Sequence, residues 1–146
     1  LGHWTQLDTR ASIGRAPRVW LSPSPQVGII ATGALLFEAL LAARALELEN
    51  VSCEVMNLAT VKPLDQEAVL SLARSTGGLV TVEEHQIATG MGSAVAECTA
   101  KHHPVPIEFV GVDDKFGQSG TPAQLIEYYG MGHDSIIAAV QRVLAR

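Results

Sequence analysis

Apolar residues along this chain gather in short blocks that alternate between strand-like and helix-like spacing. Arg18-Val19-Trp20-Leu21 is a brief apolar run between Pro17 and the Ser22-Pro23-Ser24-Pro25 breaker, which predicts an edge strand. Residues 27–32 form a continuous apolar run closed by Gly33, the pattern of a strand covered on both faces. Residues 33–48 then predict a helix whose apolar positions do not keep to one stripe. Leu36, Leu40 and Ala43 lie on one side, while Leu41, Ala45 and Leu48 fall elsewhere. A helix apolar nearly all round is buried on more than one side, so part of its cover is expected from another domain or subunit.

The alternation continues. Residues 51–58 predict a strand, and Lys62-Pro63-Leu64-Asp65 starts a helix in which Asp65 caps the first turn and Leu64 staples to Val69. Gly77-Gly78 stops it. A strand over 79–83 leads through Gly90 and Gly92 into a helix of small residues over 93–101. The last strand is 107–112. Thr121-Pro122-Ala123-Gln124 is a capping box with proline at the first helical position, and that helix ends at Gly130. A final amphipathic helix begins after Asp134, with Ile136, Val140, Val143 and Leu144 on one face. The order β-α-β-α-β-α-β implies parallel strands joined by right-handed crossovers, with helices on both faces of the sheet. Residues 1–16 show no clear period and are expected to be a leader or interdomain linker; 17–146 form one domain.

Composition narrows the function classes. Apolar residues make up 47% and charged residues 17% of 146, the balance of a globular chain that can bury a core. The formal charge is −5, and no basic stripe calls for nucleic acid or an anionic membrane. No apolar run approaches the roughly 18 residues of a membrane span. The first residue is Leu rather than Met, as expected of a fragment or a processed form. Cys53 and Cys98 lack CxxC spacing and are expected to be buried thiols in a reducing cytosol.

No complete catalytic constellation is present. Gly33 opens a helix after a strand, but Thr32-Gly33-Ala34-Leu35-Leu36 lacks the further glycines of a dinucleotide fingerprint. Gly90-Met91-Gly92-Ser93 is a glycine-rich helix start that suits either an anion or close packing, and packing is the simpler account. Glu83-Glu84-His85 and Asp113-Asp114-Lys115 end two strands, at the edge where open α/β sheets bind ligands. Adjacent strand residues face opposite ways, which weakens a shared metal or catalytic site. His102-His103 at a helix end diverge and chelate poorly. A small-ligand crevice using Thr32, Gly33, Glu83, His85 and 90–93 is the rival reading, and a partner-docking module a third.

Several blocks taken together point further. Val80-Thr81-Val82-Glu83-Glu84-His85, then Gly90-Met91-Gly92-Ser93-Ala94-Val95-Ala96-Glu97, resemble the C-terminal domain of the transketolase family. So do Val61-Lys62-Pro63-Leu64-Asp65 and Asp114-Lys115-Phe116-Gly117-Gln118-Ser119-Gly120-Thr121-Pro122, in order and spacing. Deoxyxylulose-phosphate synthases and 2-oxoacid dehydrogenase β-subunits carry similar domains. The Phe116-Gly117-x-Ser119-Gly120 block is nearer to transketolases proper, particularly the split bacterial form. The resemblance implies a three-layer α/β/α sandwich with a five-stranded, mostly parallel sheet and an antiparallel edge strand. It implies a parent enzyme that moves a two-carbon ketol unit between sugar phosphates with thiamine diphosphate and Mg²⁺. The family's cofactor machinery lies in other domains, so no catalytic, cofactor-binding or metal residue carries over to this chain, and no cofactor is expected to bind it. What carries over is a supporting role, packed against other transketolase domains or a subunit in a homodimer. Glu83, Glu84 and His85, with Gly90 and Gly92, are the expected interface contacts.

Overall fold

The computed structural model describes residues 14–146 and the backbone of His3 and Trp4. Its strands are β1 (His3–Trp4), β2 (Arg18–Leu21), β3 (Val27–Ala31), β4 (Cys53–Asn57), β5 (Leu79–Gln86) and β6 (Ile107–Val112). Its helices are α1 (Leu35–Leu48), α2 (Gln66–Thr76), α3 (Met91–His102), α4 (Pro122–Tyr129) and α5 (His133–Leu144). The strands form one sheet in the order β1-β2-β4-β3-β5-β6. β3, β4, β5 and β6 are parallel, and β2 runs antiparallel to β4 as expected. Beyond β2, His3 and Trp4 pair with Leu21 and Trp20, so β1 rather than β2 is the outermost strand on that side. These two residues fall within the stretch read as a leader or linker. The rest of 1–13 lies outside the described residues.

Alternating side chains divide the interior into two cores. On β3, Val27, Ile29 and Ala31 join Leu35, Ala39, Ala43 and Leu46 of α1 and Ile136, Ala139 and Val140 of α5. On the opposite face, Ile30 and Met56 join Val69 and Leu72 of α2 and Val95 and Cys98 of α3. β3 and β4 thus bury side chains on both faces, which is why their sequences read as apolar runs rather than as alternation. A Cβ on Gly28 would lie 2.7 Å from the Leu72 side chain, so this glycine sets how closely α2 approaches the sheet.

The helix ends follow their sequence signals. Asp65 Oδ1 accepts the Ala68 N–H at 3.1 Å, and its Oδ2 accepts the Ala16 N–H at 3.0 Å. Gly77 closes α2 at φ 77°. Thr121 and Gln124 form the expected capping box on α4. α5 begins at His133, slightly earlier than anticipated, and Leu144 is exposed while Ile136, Val140 and Val143 are buried.

β3 connects to β4 on one side, and β5 connects to β6 on the other. The order in which successive strands are added therefore reverses between β3 and β5, and the carboxyl ends of these strands are where an open sheet of this kind would hold a ligand.

Candidate functional site

β5 runs past Glu83 to Gln86. Val80 and Val82 face α1 and α5, so Leu79, Thr81 and Glu83 face α2 and α3. Glu83 is 2% exposed. Its Oε2 accepts the Met91 N–H at 2.6 Å and its Oε1 accepts the Gly92 N–H at 2.9 Å. These are free amides at the start of α3, where the helix dipole also favours negative charge. The helix has Gly90 at its N-cap and no side-chain cap of its own. Glu83 fills that role from the neighbouring strand.

The glycines make room for it. A Cβ on Gly90 would collide with both oxygens of the Glu83 carboxylate and with the Gln86 carbonyl. A Cβ on Gly92 would lie 2.7 Å from Thr81 Oγ1 and 2.9 Å from the Phe109 ring. Thr81 Oγ1 is itself buried without a hydrogen-bond partner. The anion at this helix start is thus the protein's own carboxylate, and close packing accounts for the glycines.

The five expected interface residues therefore separate. Glu84 and His85 lie on the surface. Glu83 and Gly92 are buried inside the domain and Gly90 is half-buried, because the α3 start consumes them. The ligand crevice read from Thr32, Gly33, Glu83, His85 and 90–93 loses its carboxylate and its helix amides to each other. Asp113 and Asp114 are exposed, and among the described residues no group of three or more His, Cys, Asp or Glu side chains is placed to hold a metal ion.

Gln86, at the end of β5, has a different task. Its Nε2 donates to the Lys115 carbonyl at 2.9 Å and its Oε1 accepts the Asp114 N–H at 3.1 Å. The Tyr129 hydroxyl donates to the Phe116 carbonyl at 2.8 Å. Together they hold the segment after β6 in a defined path.

A second borrowed cap was missed from the sequence. Glu38, on α1, accepts the His133 N–H at 2.9 Å with Oε2, and His133 Nδ1 lies 2.9 Å from the same oxygen. α5 also has a glycine, Gly132, at its N-cap and no side-chain cap there. For α3 the glycine-rich start was the available signal; for α5, Asp134 offered an ordinary start and hid it.

Other titratable groups are structural. Burial pushes the Cys53 thiol up to about 12 and raises Cys98, so both remain protonated at neutral pH. Burial also raises Glu54, partly offset by Arg18, whose Nη1 lies 2.7 Å from the carboxylate. His102 ends α3 beside a Lys101–Glu97 ion pair on the surface.

Comparison with known proteins now settles the family. The sequence model of the transketolase C-terminal domain matches residues 18–136. The chain belongs to the transketolase C-terminal domain family. It is 45% identical over 120 residues to a 6-deoxy-6-sulfo-D-fructose transketolase subunit of a Clostridium strain, covering 82% of this chain and 37% of that protein. It is 34% identical to human transketolase over 135 residues, 92% of this chain and 22% of that enzyme. A solved split-gene transketolase, described as an inactive β4 tetramer, superposes with a TM-score of 0.88 at 40% identity, covering 98% of this chain and 46% of that one. Transketolase from Campylobacter jejuni shares the fold, with a TM-score of 0.65 at 18% identity. The chain thus spans less than half the length of each of these relatives.

Proposed function

We infer that this chain is the C-terminal supporting domain of a transketolase that transfers a two-carbon ketol unit between sugar phosphates with thiamine diphosphate and Mg²⁺. It makes no bonds itself. It buries surface against the cofactor-binding domains and contributes to their dimer. The observation that carries the reading is proportion: the family match fills this chain, yet the chain is 22% of human transketolase.

Two features support it. The start of α3, which follows β5 at the switch point, does not fit a diphosphate, because Glu83 already takes the Met91 and Gly92 N–H groups. The domain also leaves large apolar side chains, Phe37, Leu48, Phe116 and Tyr128, on its surface. Two free, buried thiols suit a cytoplasmic enzyme, and no described helix is long and apolar enough to cross a membrane.

The test is reconstitution. The chain alone should show neither ketol transfer nor thiamine diphosphate binding by calorimetry. The rest of the enzyme, supplied separately, should gain activity when the chain is added. Micromolar cofactor binding by this chain alone would overturn the reading.

A further inference from the structure

The segment from Asp113 to Tyr129 is unlike the rest of the domain. Its backbone is ordered by this chain's own groups: Gln86 holds residues 114 and 115, Tyr129 holds residue 116, and α4 carries a full capping box. Yet no residue of α4 is buried. Phe116 is 99% exposed and Tyr128 is 60% exposed. An ordered backbone that turns the Phe116 ring fully outward gains nothing from that ring within the domain.

Gly117 gives a second, independent indication. Nothing lies within 4 Å of where its Cβ would be, and its φ is outside the left-handed region. Nothing inside the domain calls for glycine there. With no side chain of its own, this open position leaves room for a neighbouring backbone to come close from outside. Beside it, an open cleft of about 390 Å³ is lined by Gln118, Ser119, Gln124, Leu125, Glu127 and Tyr128.

We propose that Phe116 is the anchor by which this domain docks onto the cofactor-binding part of its own transketolase. Its ring enters an apolar pocket on that neighbour, Gly117 lets the two backbones approach, and the cleft beside α4 receives the neighbour's adjoining surface. Gln86 and Tyr129 are positioning residues that hold the arm in its docking shape beforehand, so little ordering remains to be done on binding. The proposal rests on the function inferred above. The occupant follows from length: this domain makes up 37% of the clostridial subunit and 22% of the human enzyme, so most of the polypeptide it serves lies outside it. The arm, moreover, falls within the region matched by the family, residues 18–136.

The experiment titrates this chain against the separately produced remainder of the parent enzyme, by calorimetry and by recovered ketol transfer. Phe116→Asp and Phe116→Ala should weaken association by roughly 30-fold or more, the loss typical of an aromatic hot spot. Neither should move the melting temperature of the chain alone, since the side chain touches solvent. Gln86→Ala should weaken association several-fold. Arg74→Ala, at an exposed position on α2, should change nothing. Equal affinity for wild type and both Phe116 variants would overturn the proposal and leave the functional reading standing. Failure of the wild-type chain to bind the remainder would overturn both. A dimer of the chain alone, seen by sedimentation and dissolved by Phe116→Asp, would also overturn it, by assigning the arm to a second copy.

Discussion

α3 and α5 both begin in glycine, both lack a cap from their own first residues, and both borrow a carboxylate from another element. The surroundings differ. Glu83 closes α3 from inside the sheet, fully buried, with one amide on each oxygen and two glycines cleared around it. Glu38 closes α5 from a neighbouring helix, its side chain 18% exposed, with a histidine sharing one oxygen. A Cβ on Gly132 would meet Ile126 at 3.6 Å and Glu38 at 3.8 Å, ordinary contact distances. The same electrostatic device is therefore rigidly specified in one place and loosely in the other. Burial sets the difference: a desolvated amide that loses its acceptor has no water to replace it.

Unfolding measurements on single variants put that contrast to the test. Glu83→Leu leaves two buried N–H groups without acceptors and should cost about 3 kcal/mol in urea unfolding; a loss below about 1 kcal/mol would show that water reaches α3. Gly90→Ala forces a methyl into the carboxylate and the Gln86 carbonyl, and about 2 kcal/mol should be lost. Glu38→Ala, at the wetter helix start, should cost about 1 kcal/mol, as for loss of an ordinary cap. Thr81→Val removes a buried hydroxyl without a partner and should stabilise the domain by about 1 kcal/mol; destabilisation would mean that this hydroxyl helps hold Glu83. Gly132→Ala should lie within about 0.5 kcal/mol of wild type.

Most of the scaffold could be read from residue order. The apolar runs at 27–32 and 51–58, the Asp65 cap and the Thr121–Gln124 box each express local chemistry that short-range pattern captures. Glu83 is the instructive exception. Read locally, it sits at a strand end beside Glu84 and His85 and looks like surface charge. Its burial depends on β5 continuing to Gln86, which keeps Glu83 in phase with Leu79 and Thr81 and turns it toward α3. The partnership of Glu38 with His133 was beyond reach, since it joins residues 95 positions apart that meet only when α5 packs on α1. The outward-facing aromatic arm was likewise invisible, because sequence places Phe116 after a strand without saying which way it points.

The two cysteines stand on opposite sides of the sheet, Cys53 among the side chains beneath α1 and α5 and Cys98 among those beneath α2 and α3. Neither meets reagent in the closed molecule, and the sheet keeps them from each other. Each layer thus carries its own native tag for transient opening. The rates at which the two sulfurs are alkylated in native buffer will tell whether the layers loosen together or one at a time.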